Sequence, residues 1–160
     1  MPTDTPDSPT VVVPESVRND VVAHAREGSP REVCGVLAGV REGGDGTPVH
    51  RVERRYPAEN AADRPRTRYE IDPREQLELM EEIEDAGREV VGFYHSHPRG
   101  PPGPSATDAA QATWPGRSYL VVSLGGGGGE GGGEPSIGSW RWTGAEFVAE
   151  QLRFPADGPG

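Results

Sequence analysis

The chain has 160 residues, a single cysteine and a formal net charge of −10. This length suits one compact domain and is too short for an eight-fold barrel hydrolase. The acidic balance argues against nucleic acid or an anionic membrane surface as the main partner. The lone cysteine excludes an internal disulfide, and it also excludes a zinc nucleobase deaminase, which requires a P-C-x-x-C motif.

The first part of the chain predicts a tail followed by a helix. Residues 1–10 are mostly Pro, Thr, Asp and Ser, which is typical of a disordered start. The run VVVPESVRNDVVAHAREG then predicts a short extended piece and an amphipathic helix that ends at Gly28, with His24 on its solvent or edge face. No apolar segment of leader or membrane length follows a basic start, so we expect a cytoplasmic protein.

Two strands are predicted next. They are EVCGVLAGV and PVHRVERRYP, separated by the turn-rich EGGDGT. Cys34 lies in the first strand, where a small buried thiol is a more common outcome than a nucleophile. His50 lies in the second strand, and we interpret it as a surface residue because no partner spacing accompanies it.

The clearest helix of the sequence covers residues 72–87. Asp72 caps it, Pro73 occupies its first position and Gly87 closes it. The strand REVVGFYHSH follows, and SYLVVSL predicts a further, buried strand. This alternation of helices and strands predicts a single-domain α/β layered fold over residues 11–154, with a mixed β-sheet flanked by helices.

The rest of the chain contains one low-complexity segment and two closing elements. GGGGGEGGGEP, residues 125–135, lacks the Lys and Ser/Thr of a phosphate-binding loop and predicts a flexible loop, not a nucleotide site. IGSWRWTG predicts a closing strand with Trp140 and Trp142 on one face, and AEFVAEQLRF predicts a terminal helix or strand. Residues 155–160 are expected to form a tail.

The segment HSHPRGPPGPSATD, from His95 to Asp108, contains the candidate metal ligands. His95 and His97 are two apart on a predicted strand, so both imidazoles project to one face and can reach one ion. With Asp108 as third ligand, Zn²⁺ keeps a fourth position for water, as in catalytic zinc sites. Ser105 and Asp108 also fit a helix N-terminus with a capping box, and both interpretations can hold at once, because a helix start holds side chains rigidly.

Together with the upstream Glu32 in PREVCGVLAG, this segment resembles the JAMM or MPN+ metalloprotease family. The family signature is a distant Glu followed by H-[ST]-H-P-x(6)-S-x(2)-D, and no position of it is substituted, which disfavours the inactive branch that lacks the ligands. The resemblance covers about residues 11–124 and includes Asn60 and Tyr69 in the connecting segment PAENAADRPRTRYEIDP. It implies a JAB1/MPN-like layered fold, similar to that of cytidine deaminases.

The resemblance also implies zinc-dependent amide hydrolysis. His95, His97 and Asp108 would hold Zn²⁺. Glu32 would take a proton from the attacking water and pass it to the leaving amine, and the Ser105 hydroxyl would stabilise the developing negative charge. No covalent acyl-enzyme is expected.

Members of this family release ubiquitin-like proteins from lysine side chains, and small prokaryotic relatives also trim sulfur-carrier proteins after their Gly-Gly ends. The resemblance therefore implies a partner with a Gly-Gly C-terminus. We expect a desampylase-like isopeptidase. The alternatives are a peptidase that removes a residue such as cysteine from a carrier protein, and a non-catalytic module that binds a modifier. The loop PRGPPGP would frame a narrow groove that admits glycine, or would only position Ser105.

The basic residues have an unusual composition, since all sixteen are arginine. With an excess of Asp and Glu and 32% hydrophobic residues, the chain is typical of a salt-accumulating, halophilic archaeon or of a GC-rich genome. Both explanations stay open at this point.

Overall fold

The computed structural model describes residues 9–43, 49–63, 68–98, 103, 104, 108, 112, 114–124 and 135–156. In this part of the chain, helices α1 (Glu15–Gly28) and α2 (Pro73–Asp85) accompany one sheet of eight strands. The strands are β1 Thr10–Val12, β2 Cys34–Glu42, β3 Val49–Ala58, β4 Glu89–His97, β5 Ser118–Ser123, β6 Ser136–Trp142, β7 Phe147–Ala149 and β8 Gln151–Arg153.

The sheet has the order β7-β6-β5-β4-β2-β3-β1-β8. Strand β1 runs parallel to both of its neighbours, and β4 runs parallel to β5. The other neighbouring pairs are antiparallel. The prediction of an α/β domain with a mixed sheet is therefore confirmed, and the predicted terminal helix or strand proves to be the two short strands β7 and β8.

Each face of the sheet packs against one helix. The cluster on the α1 face consists of Val11, Val13, Val17, Val21, Val22, Ala25, Val33, Leu37, Val52, Val91, Tyr94, Leu120 and Val122. The cluster on the α2 face consists of Val36, Ala38, Tyr56, Ile83, Val90, Phe93, Tyr119 and Trp142. Apolar side chains buried on both faces explain why β4 and β5 are almost continuously hydrophobic.

A bulge in β4 decides which way its last residues point. Leu37 pairs with Gly92 and Ala38 pairs with Val90, so Val91 is an extra residue without a partner in β2. After the bulge, alternation places Tyr94 on the α1 face and Phe93 on the α2 face.

The two predicted helices have the expected ends. Two backbone N–H groups of the first turn of α2 donate to the Asp72 carboxylate, and Gly87 closes the helix with a φ of 79°. Helix α1 ends at Gly28 as predicted. His24 lies half-buried at the edge of α1, with its Nδ1 2.8 Å from the Tyr94 hydroxyl.

Strands β7 and β8 follow each other in the chain with only Glu150 between them, yet they lie at opposite edges of the sheet. The sheet must therefore be curled, so that its two edge strands, β7 and β8, meet at Glu150. The backbone N–H of Glu150 donates to the Ser139 carbonyl in β6 at 2.9 Å, and that of Gln151 donates to the Pro9 carbonyl at 2.8 Å. The buried Glu150 side chain accepts hydrogen bonds from Ser118, Ser139 and Arg141.

The prediction that His50 is a surface residue is wrong, because the curled sheet buries it completely. Its Nε2 is 3.1 Å from Arg41 Nε. Arginine can only donate, so Nε2 accepts and the ring proton lies on Nδ1, 2.7 Å from Ser118 Oγ. Ser118 in turn donates to Glu150 at 2.7 Å. Burial, together with three neighbouring arginines, lowers the pKa of His50 to about 3.

Several predicted segments lie partly or wholly outside the described residues. They are most of the N-terminal tail, the Gly-rich loop except Pro135, the end of the C-terminal tail, and the helix start at Ser105, of which only Asp108 is described, in helical conformation. Strand β1 begins at Thr10, one residue inside the range predicted as tail. Among the described residues, no helix is both long enough and apolar enough to cross a membrane.

Candidate metal centre

The last residues of β4 bring the two predicted histidine ligands to one face of the sheet. His95 Nε2 and His97 Nε2 each lie 3.0 Å from the same oxygen, Oδ2 of Asp108. All three side chains are buried, with exposed fractions between 1 and 4%. The structure thus brings together the three residues whose spacing suggested a metal site.

Glu32 joins this group from the neighbouring strand. It precedes β2, whose first residue, Cys34, pairs with His95 across the sheet. Val33 fixes this end of the strand, because its N–H donates to Ser96 Oγ at 2.9 Å and its carbonyl accepts from the Ser96 N–H at 3.1 Å. Ser96 points away from the two histidines that flank it, and it holds the chain segment that carries Glu32.

The four side chains lie close enough together to hold a metal ion. One ligand atom from each of Glu32, His95, His97 and Asp108 lies within 4.8 Å of the other three. Oε1 of Glu32 is buried and has no hydrogen-bond partner among the described residues. A buried carboxylate oxygen without a partner is costly, and two imidazoles and a carboxylate that converge on one point fit Zn²⁺ or a similar ion.

Burial shifts the pKa values of the group. Burial raises the pKa of Glu32 to about 7, with Asp108 adding to the rise and His97 opposing it. Burial also lowers the pKa of His95, which favours the neutral imidazole that can bind a metal. A carboxyl group with a pKa near neutrality is suited to accept a proton and return it.

Cys34 lies next to the centre but has the properties of a buried structural thiol. It is fully buried, its Sγ lies 3.8 Å from the carbonyl oxygens of Ala58 and Glu59, and burial raises its pKa to about 12. The thiol is therefore protonated at neutral pH, and a role as nucleophile is disfavoured.

The structure adds two residues to which sequence reasoning gave no role. The Tyr69 ring stacks on the His95 imidazole, with 4.4 Å between ring centroids and 19° between planes. Asn60 Nδ2 donates to the backbone carbonyl of Glu32 at 3.0 Å. Both lie in the segment that connects β3 to α2. Their place in the family's connecting segment was the only sequence signal for them.

Two pockets include residues of the centre or of its immediate surroundings. A groove of about 540 Å³ includes Glu32 and Asn60 in its lining and runs past the end of α1. A smaller cavity of about 290 Å³ is lined by Tyr69, Phe93, Trp114 and Tyr119, among others. Glu32 is thus the residue of the centre that contributes to the lining of the larger groove.

Known proteins resemble this chain over most of its length. A desampylase of Haloferax volcanii is 44% identical over 134 residues, which are 81% of this chain and 86% of that protein. A CysO-cysteine peptidase of Mycobacterium tuberculosis is 43% identical over 113 residues, which are 71% of this chain and 73% of that protein. The solution structure of a protein from Desulfitobacterium hafniense superposes with a TM-score of 0.78 at 32% identity, covering 92% of this chain and 94% of that one.

The family comparison agrees with the motif and with the fold. Residues 14–143 match the model of the prokaryotic homologs of the JAB domain. This range includes both helices, the four clustered side chains and five of the eight strands. The chain therefore belongs to the prokaryotic JAB domain family.

Proposed function

We propose that this protein is a zinc-dependent isopeptidase that hydrolyses the amide bond between the C-terminal Gly-Gly of a ubiquitin-like modifier and a lysine side chain. The observation that carries the proposal is the convergence of Glu32, His95, His97 and Asp108 at the end of β4. Relatives named desampylase and peptidase support a hydrolase that acts on peptide bonds. A module that only binds a modifier has no need for four buried ionisable side chains.

Each residue of the centre has one task in this reaction. His95, His97 and Asp108 would hold the metal, and a bound Zn²⁺ supplies a Lewis acid that polarises the scissile carbonyl and makes water more acidic. Glu32 accepts the proton of the attacking water and delivers it to the leaving lysine amine. The Ser105 hydroxyl donates a hydrogen bond to the oxygen on which negative charge develops.

The second candidate is the removal of cysteine from a sulfur-carrier protein. The relative named CysO-cysteine peptidase, at 43% identity, favours it. Both reactions cleave the bond after a slender Gly-Gly end, and they differ in the leaving group, which is a lysine side chain in one and a cysteine in the other. The 44% identity to a desampylase over a longer stretch favours the lysine conjugate.

The two candidate functions are tested by giving both substrates to the same preparation of the protein. The purified protein is incubated with a lysine conjugate of a ubiquitin-like protein and with a carrier–cysteine adduct, each with and without a zinc chelator. We expect faster cleavage of the conjugate, loss of cleavage with the chelator and recovery when zinc is added back. Faster cleavage of the adduct would select the second candidate. Binding of either substrate without turnover, with zinc present, would indicate the non-catalytic module.

A further inference from the structure

Asn60 is the hydrogen-bonding centre of the segment between β3 and α2. Its Nδ2 donates to the backbone carbonyls of Glu32 and Arg68, each at 3.0 Å. Its Oδ1 accepts from the backbone N–H groups of Ala62 at 3.0 Å and Glu70 at 3.1 Å. Each end of the amide faces groups of the opposite kind, so the hydrogen-bond network fixes the amide orientation.

The hydrogen bond to the Glu32 backbone is important because few hydrogen bonds fix the carboxyl group of this residue. Its Oε1 makes no hydrogen bond within the described part of the chain, so the position of the carboxylate depends on the Glu32 backbone and on the packing of this buried side chain. That backbone is anchored on one side by the pair of hydrogen bonds between Val33 and Ser96. The Asn60 amide supplies an anchor at the Glu32 carbonyl itself.

The same amide also positions Tyr69. This tyrosine lies between Arg68 and Glu70, and Asn60 binds the backbone of both. The Tyr69 ring stacks on His95. One side chain therefore connects the backbone of Glu32 with the ring that covers a histidine of the candidate metal centre.

We propose that Asn60 is a positioning residue, which sets the location of the Glu32 carboxylate relative to the Tyr69–His95 pair. The inference rests on the proposed role of Glu32 as the general base. A proton acceptor must lie within hydrogen-bond reach of the proton it takes, and a displacement of about 1 Å can lower turnover by about 10²-fold. Removal of the Asn60 donor should therefore lower kcat more than it changes the binding of metal or substrate.

Two substitutions test the hydrogen-bond donor and the hydrogen-bond acceptor of the Asn60 side chain. Asn60→Asp keeps the oxygen that accepts from Ala62 and Glu70 and replaces the donor to the Glu32 and Arg68 carbonyls. Asn60→Ser is uncharged and too short to reach Glu32. We expect kcat to fall at least about tenfold in both variants, with KM within about threefold and with the zinc content of wild type. Backbone amide exchange at Ala62 and Glu70 should stay slow in the Asp variant and become faster in the Ser variant.

Asn19→Asp is the matched control, because it adds the same charge at an exposed position of α1. It should behave as wild type. If Asn60→Asp or Asn60→Ser keeps kcat within about twofold, or if either loses zinc, the proposal is overturned. A loss in the Asp variant alone would indicate a charge effect and would also overturn it. If the Asp variant does not fold, the Ser variant decides by the same criteria.

Wild type and Glu32→Gln are measured in the same assay. If Glu32→Gln keeps wild-type turnover, the proposed role of Glu32 fails, whatever the Asn60 variants do. If Glu32→Gln is inactive and the Asn60 variants are fully active, only the inference on Asn60 fails.

Discussion

The buried His50 makes a quantitative prediction on how stability depends on pH. The pKa of this residue falls from its ordinary 6.5 to about 3 in the folded protein. Below pH 6.5 the unfolded chain therefore binds a proton that the folded protein does not bind. The free energy of unfolding consequently falls as the pH is lowered from 6.5 towards 3, and this residue has no effect above pH 7.

The size of the effect follows from the two pKa values. At pH 5 the unfolded imidazole is almost fully protonated and the folded one is almost fully neutral. One pKa unit corresponds to about 1.4 kcal/mol, so the loss of stability is about 2 kcal/mol between pH 7.5 and pH 5. Protonation in the folded state would remove the hydrogen bond from Arg41, because a protonated ring has no acceptor at Nε2.

The assay compares wild type with His50→Gln, whose amide does not titrate. Urea unfolding at fixed salt gives the free energy of unfolding of both proteins at pH 7.5 and pH 5. The variant should be less stable at pH 7.5, because a flexible amide replaces a rigid ring in a fully buried site. This difference should shrink by about 2 kcal/mol at pH 5. Other groups that titrate are the same in both proteins and cancel in the comparison.

His24→Gln provides the control, because His24 is only half-buried and its pKa is lowered mainly by that partial burial. The difference in the free energy of unfolding between wild type and His24→Gln should change less with pH than the difference between wild type and His50→Gln. If the difference in the free energy of unfolding between wild type and His50→Gln stays constant within about 0.5 kcal/mol from pH 7.5 to pH 5, His50 has an ordinary pKa in the folded protein, which would contradict its burial in the hydrogen-bond chain.

The remaining predictions concern the metal centre and the surface charge. Elemental analysis of wild type should find one zinc per chain. The zinc content should be lower in His97→Ala and Asp108→Ala, and both variants should be less stable. Full zinc content and full activity in these variants would contradict the ligand set. Glu32→Gln should keep its zinc while turnover falls by several orders of magnitude, since the base acts on water and not on the metal. Ser105→Ala should lower turnover by about 10²-fold, whereas a change below about threefold with a lower Tm would assign Ser105 to helix capping. Melting temperature and activity should rise from low to molar KCl, because salt screens the repulsion between crowded carboxylates, and a flat or falling Tm would leave codon bias as the explanation.

Local patterns in the sequence predicted those features that depend on neighbouring residues. Helix α2 was predicted from Asp72, Pro73 and Gly87, which act within their own turns. The common face of His95 and His97 was predicted because alternation along a strand needs no information from the rest of the fold.

Features that depend on distant segments were missed. His50 is buried because β7 and β8 close the sheet, and no spacing near His50 indicates this closure. The anchoring role of Asn60 depends on where the 59–70 segment meets the start of β2, which only the folded chain shows. Glu32 was identified from a family resemblance, since a single glutamate at a strand start carries no signal of its own.

The single-residue link between β7 and β8 has a consequence for the order of folding. Strand β8 pairs with β1, from the other end of the domain, while β7, one residue earlier in the chain, pairs with β6 at the opposite edge of the sheet. Contacts between such distant segments form slowly, because a long loop must close before they stabilise anything. During synthesis on the ribosome, the sheet is therefore expected to stay open until its last strands emerge. In that interval the unpaired edges of β1 and β6 are the surfaces most exposed to association with other chains.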